Sequence, residues 1–212
     1  MLSPWTSTTR RVALRPSMAI ARTRTSPIST LRSEVRMEYL LVAQLSLAFV
    51  FAISGTLKMT AAGREALLQT VRSVPPLSRY ARFVIYLLPL AELVLAAMLL
   101  SAGTLIRRDL PLALATLTTA LLLFFVAYAL STDLSVPCRC FGSRSEATVS
   151  WLHVIRNAAL FMIAAFSWLV VANSEDGPAA RPTEYLIQGL PAILIALIVV
   201  FFDDVVALWA SK

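Results

Sequence analysis

Long, nearly uninterrupted apolar blocks constrain this chain more than any other feature. Crossing a hydrocarbon core about 30 Å thick takes roughly 20 apolar residues at 1.5 Å of helix rise each. Blocks of about that length cover residues 39–57, 83–103, 111–130, 151–172 and 185–202. A water-soluble domain needs a far more polar exterior than this sequence offers, with 58% hydrophobic and 15% charged residues. The blocks therefore predict an all-α, polytopic transmembrane bundle: a four-helix core plus a fifth, C-terminal helix.

The formal net charge of +7 is a reason to consider nucleic acid, but its distribution points to a lipid bilayer. Arg10, Arg11, Arg15, Arg22, Arg24, Arg32 and Arg36 crowd the first 36 residues, and most other cations flank the apolar blocks. Cations in those places meet headgroups and bias topology. No recognition helix or base-stacking motif accompanies them, so no nucleic acid partner is expected.

Three regions follow. Residues 1–36 form a basic tail, expected to be disordered, without the apolar core of a secretory signal. It reads either as a targeting or lipid-binding segment or as an extension ahead of a start at Met37. Residues 37–173 hold the four-helix membrane domain, and residues 174–212 a linker with the fifth helix. Between the first two spans, residues 59–82 suggest a short interfacial helix broken at Pro75-Pro76. Lys58, closing the first span, is placed to snorkel to the interface. Arg107, Arg108 and Asp109 make a polar turn, and Ser150 is an expected N-cap for the fourth span.

The two cysteines, Cys138 and Cys140, stand in one tripeptide, Cys138-Arg139-Cys140, in the most polar loop of the hydrophobic region. They cannot complete a structural zinc site, and His153 would raise the ligand count only to three of four. No metal is expected. A disulfide across so small a ring would be strained and readily reduced, which suits exchange better than stapling. Arg139, Arg144 and the start of the next helix would favour thiolates. The plainer alternative is a pair of inert loop cysteines.

Glu92 lies inside the second span, where a carboxylate costs about 2.5–3.5 kcal/mol on insertion scales and should face a partner in the bundle. Lys58, Arg156 and Asn157 are the candidates. The pair is either purely structural or a proton relay. His153, Arg156 and Asn157 share one helical face at i, i+3 and i+4. Arg156 is suited to a quinone oxygen, a thiolate, Glu92 or a lipid phosphate. His153 is either a proton relay or an ordinary interfacial hydrogen-bonding residue.

In order and spacing, these residues resemble the MauE family of methylamine-utilisation membrane proteins, within a wider DoxX-like group of redox-associated four-helix proteins. The resemblance covers roughly residues 38–172. It is carried by Cys138-Arg139-Cys140-Phe141-Gly142, Trp151 and Arg156-Asn157-Ala158-Ala159-Leu160. Ser54-Gly55 with Lys58, and Leu88-Pro89 with Glu92, match more loosely. The resemblance implies a helical bundle in a bacterial plasma membrane. It also implies a role in maturing extracytoplasmic proteins beside thioredoxin-like partners. The basic tail and the fifth helix lie outside the family's pattern.

The expectation that follows is a membrane thiol–disulfide oxidoreductase. Cys138 and Cys140 exchange with a thioredoxin-like or substrate protein. Arg139 and Arg156 tune thiolates, while Glu92 and Lys58 handle protons or bind an electron acceptor. No haem or flavin motif is visible, so a membrane quinone is the acceptor considered, with Arg156, Asn157 and His153 as its contacts. The competing expectations are a non-catalytic assembly scaffold and, lower in rank, a solute transporter built on Pro89 and Glu92. The cysteine loop is placed outside the cell because disulfide chemistry is permitted there. Counting cations gives ten against nine between the two sides, which does not decide the orientation.

Overall fold

The computed structural model describes residues 27–74, 78–132, 151–174 and 182–202. The described residues form helices and their connecting turns. In chain order these are α1 (Pro27–Met59), α2 (Ala61–Arg72), α3 (Ala81–Ser101), α4 (Asp109–Ser131), α5 (Trp151–Ala172) and α6 (Pro182–Val200). All but α2 are long and apolar enough to cross a membrane, α1 through its Met37–Met59 portion. The protein is thus a multi-pass membrane bundle whose partner is the bilayer.

The helix boundaries follow from local chemistry. Helix α1 begins at Pro27, well before Tyr39, and runs through the last part of the expected tail. Proline is tolerated at a first helical position, and no glycine or further proline interrupts residues 28–54. Helix α2 is capped by Thr60, whose hydroxyl accepts from the Gly63 amide at 3.1 Å. The chain reverses so tightly there that a Cβ on Gly63 would stand 2.1 Å from the Leu57 carbonyl oxygen. Pro111 falls in the first turn of α4, where an amide hydrogen has no intrahelical acceptor to lose. The expected break at Pro75-Pro76, the Ser150 cap and most of the linker after Asn173 lie outside the described residues.

Antiparallel α1 and α3 form one packed pair and antiparallel α4 and α5 another. Helix α1 also touches α5 and carries α6 along its flank. One core runs through all five spans, from Leu47, Ala48 and Phe51 to Leu95 and Leu99, Leu112 and Ala115, Leu160 and Ala164, and Ala196. A satellite of Leu67, Val71, Ala81 and Ile85 pins α2 onto the start of α3. The outward faces are apolar as well, with Leu90, Leu117, Phe124, Met162 and Ile198 exposed. In lipid such faces are solvated by acyl chains, so they need no protein cover.

At one end of the bundle, the C-terminus of α3 is held by side chains from two other helices. The Gln44 amide donates to the carbonyls of Leu99 at 2.7 Å and Ala102 at 3.3 Å, and the Tyr185 hydroxyl donates to Ala102 at 3.3 Å. These bonds satisfy carbonyls that a helix end leaves open, which matters most where water is scarce. The Tyr185 bond also docks α6, expected from the sequence as an addition to a four-helix core, onto the bundle. At the opposite end α1 finishes, α2 and α3 begin, α4 finishes and α5 begins. Residues 133–150, which join α4 to α5 at that end, include Cys138, Cys140, Arg139 and Arg144 and lie outside the described residues.

Candidate functional site

The buried charged side chains Lys58, Glu92 and Arg156, with His153 and Asn157, gather in the half of the bundle at the α4–α5 junction. Lys58 and Glu92 form a salt bridge there through Glu92 Oε1, with side-chain exposures of 4% and 1%. The Lys58 ammonium also donates to the Ser54 hydroxyl at 2.9 Å.

Helix geometry explains why two residues so far apart in level can meet. Every Cα–Cβ bond tilts toward its helix N-terminus. Lys58, in the last turn of α1, therefore projects back into the membrane, over Ser54 one turn earlier. Glu92 lies about 16 Å along α3, given a rise of 1.5 Å per residue. Its side chain projects toward the start of α3, which is the same end of the bundle. The expectation that Lys58 snorkels outward is therefore corrected. A buried carboxylate within reach, together with a serine one turn back, holds the ammonium inside.

Close helix approach makes the pairing possible. A Cβ on Gly55 would lie 2.9 Å from Leu93 Cγ and 3.1 Å from the Pro89 carbonyl oxygen. Only a residue without a side chain allows α1 and α3 to come this close at the level of the ion pair. Pro89 sits within α3 three residues before Glu92 and cannot donate the usual hydrogen bond one turn back. Ser54-Gly55, Lys58, Pro89 and Glu92 thus form one packed unit.

Glu92 makes asymmetric use of its carboxylate. Oε1 receives Lys58, while Oε2 is buried and accepts no hydrogen bond among the described residues. An unsatisfied buried polar atom costs about 1–3 kcal/mol. Such an atom is a point at which a proton, a water or a ligand donor would be gained without displacing anything.

Helix α5 brings the second group. His153, Arg156 and Asn157 are all buried, on the inward face that continues through Leu160, Ala164 and Ser167. The helical spacing read from the sequence therefore does put the three on one face. The Asn157 amide donates to the His153 carbonyl at 2.7 Å, and His153 and Arg156 each have a further interaction partner. Of the candidates considered as partners for Glu92, Lys58 forms the ion pair. Arg156 and Asn157 belong to the same half of the bundle by topology.

Around this end stand Tyr80, Phe83, Tyr86, Tyr128 and Trp151, all exposed. They form the amphipathic fringe expected where hydrocarbon meets headgroups. The Arg79 guanidinium lies over the Tyr80 ring, 5.0 Å from its centroid. No group of three metal-ligating side chains occurs among the described residues.

One participant of the site, Ser54, and one buried polar residue at the other end of the bundle, Gln44, went unassigned in the sequence. Ser54 was visible only as part of a motif, although its i−4 relation to Lys58 is a readable sign of a shared face. Gln44 is a polar residue inside an apolar block, and that alone marks it as inward-facing and bonded.

A family model described as "Methylamine utilisation protein MauE" matches residues 36–170, from the last turns before the first span to the end of α5. Helix α6 lies beyond the match. No curated protein and no solved structure matches the chain.

Proposed function

Because the chain belongs to the MauE family, a methylamine-utilisation family of membrane proteins, we propose that it is an integral membrane thiol–disulfide redox protein. In this reading it assists oxidative maturation of extracytoplasmic partner proteins. Cys138 and Cys140 exchange disulfides with a thioredoxin-like or substrate protein on the outer side of a bacterial plasma membrane. Electrons taken from the thiols pass to a membrane quinone.

The observation that carries this reading is the buried polar cluster at the α4–α5 end. An apolar bundle has no need of Lys58, Glu92, His153, Arg156 and Asn157 in its interior, and each is costly to bury. They are concentrated at the end where the segment bearing both cysteines connects two spans. A lipid-soluble acceptor with two carbonyl oxygens suits the donors and the open carboxylate oxygen found there. Arg156 and Asn157 are the residues to hold such oxygens, and Glu92 is the one to exchange a proton. When bound, a quinone supplies a two-electron sink. Everything else in the reaction falls to the chain itself: presenting the thiols, neutralising charge and excluding water.

Trapping tests the exchange step. In a Cys140→Ser variant, Cys138 should accumulate a mixed disulfide with a thioredoxin-like protein under oxidising conditions, and the Cys138→Ser variant should report whether Cys140 can do the same. If neither variant traps a partner, the exchange reading is wrong.

The Lys58–Glu92 pair also favours a second reading, a non-catalytic assembly scaffold, because such a pair can act purely as glue between α1 and α3. The two readings separate on the Cys138→Ser/Cys140→Ser double variant. A scaffold keeps full maturation of its partner, whereas an exchange protein loses it.

A further inference from the structure

The two ends of the buried ion pair are not equivalent, and the difference assigns them separate tasks. Lys58 donates to Ser54 and to Glu92 Oε1 at the level where Gly55 lets α1 and α3 approach closely. Glu92 Oε2 is equally buried but accepts nothing among the described residues. One carboxylate oxygen therefore meets the Lys58 ammonium, while the other meets no donor among the described residues.

We propose that Glu92 Oε2 is the proton-transfer atom of this membrane protein, taking a proton from the α4–α5 end and passing it to the reducible oxygen of a bound quinone, with Lys58 and Ser54 as positioning residues. The inference rests on the redox reading above and specifies which atom works and which only hold it.

Its chemistry balances. Two cysteine thiols lose two protons and two electrons, two S–H bonds break and one S–S bond forms. The acceptor gains the two electrons, and two O–H bonds form on its oxygens. The protons released by sulfur leave to water at the membrane surface. The acceptor's oxygens lie in the bundle, so at least one proton must be carried inward. Glu92 is buried in that half of the bundle, and its Oε2 accepts no hydrogen bond among the described residues. The Lys58 ammonium beside it holds the carboxylate in place through Oε1 between transfers. Without Lys58 the carboxylate would lose the counter-charge that Oε1 meets in an apolar interior.

The test uses the full chain purified into lipid vesicles, reduced with a dithiol and mixed with a short-chain ubiquinone analogue. Three quantities are followed: quinol formation, disulfide exchange with a reduced thioredoxin, and the infrared difference spectrum of the carboxyl region during turnover. Glu92→Gln should slow quinol formation by roughly a hundredfold, the order associated with losing a positioned acid–base group. Exchange with thioredoxin should be unaffected. The wild-type spectrum should show a protonated-carboxyl band that shifts in heavy water and disappears in Glu92→Gln.

Because that variant strands an ammonium in the bundle, Lys58→Gln/Glu92→Gln serves as its neutral counterpart. It should fold like the wild type and be just as slow. Wild-type quinol formation in both variants, or persistence of the band without Glu92, would overturn the inference and leave the redox reading standing. Unchanged quinol formation in Cys138→Ser would instead remove the redox reading, and the inference with it.

Discussion

A lysine and a glutamate withdrawn from water tolerate each other's presence far better than each other's absence. In Lys58→Met the Glu92 carboxylate keeps its burial and loses its counter-charge. Breaking one side of a buried pair in this way typically costs about 3–5 kcal/mol. Replacing both, as in Lys58→Met/Glu92→Leu, removes the desolvation cost along with the attraction. The double variant should recover most or all of the lost stability. Unfolding titrations in mixed micelles would check this. A double variant as unstable as the single one would mean that the charges matter through something other than their mutual compensation. The sequence made half of this legible. A carboxylate in the middle of an apolar block must have a partner, and Lys58 was among the candidates. That Lys58 points inward was not legible, because a lysine at a helix end reads as a snorkelling residue until the neighbouring helix is known. The asymmetry between Oε1 and Oε2 is a matter of side-chain geometry alone, and no sequence pattern encodes it.

The helices depend on a few close approaches. Gly55 sits against the Pro89 carbonyl and Leu93, so a branched side chain there must push α1 and α3 apart. Gly55→Val should destabilise the bundle by about 1–3 kcal/mol, the usual cost of overpacking. It should also weaken the Lys58–Glu92 pair, whose meeting depends on that spacing. The expected signature is a lower unfolding midpoint together with loss of most of the difference between wild type and Lys58→Met. If the Lys58→Met penalty is unchanged in the Gly55→Val background, the helix spacing does not control the ion pair. At the other end of the bundle, Tyr185→Phe removes the hydroxyl that reaches Ala102. It should cost about 0.5–1.5 kcal/mol, the usual net worth of one hydrogen bond, measurable in the same titration. The existence and extent of the five spans were readable because apolar length and hydropathy are properties of the chain itself. The start of α1 at Pro27 was not, since a basic, apolar-poor stretch gives no periodic signal even when it can continue a helix. The docking of α6 on α1 was hidden for a related reason. A span facing lipid and a span facing protein are equally apolar, and in α6 it is Tyr185 and the buried alanines Ala192 and Ala196 that mark the contact face.

For the whole molecule, the structure alters the electrostatic argument about orientation. Lys58 and Arg156 lie inside the bundle, so neither is an interfacial charge of the kind that governs insertion. Arg64, Arg72, Arg79, Arg82, Arg139, Arg144 and Lys212 remain on the side of the cysteine loop. Arg107, Arg108, Arg181 and the seven arginines of the tail oppose them. The balance becomes ten against seven, and it now favours a cytoplasmic N-terminus with the cysteine loop outside, provided the tail arginines count. Without them it becomes three against seven, and the preference reverses. The tail is thus the part of the chain on which orientation turns. Replacing Arg10, Arg11, Arg15, Arg22, Arg24, Arg32 and Arg36 with glutamine should move Cys138 and Cys140 from outside to inside in a substantial fraction of molecules. Labelling with a membrane-impermeant maleimide after mild reduction reads this directly. The wild type should be labelled in intact cells, and the substituted chain mainly after permeabilisation. Equal labelling of both in intact cells would show that orientation is set within the bundle. The loop's place on the oxidising side would then be independent of the tail. A wild type labelled only after permeabilisation would put the thiols in the reducing compartment, where a strained Cys138–Cys140 disulfide could not persist and the scaffold reading would take precedence.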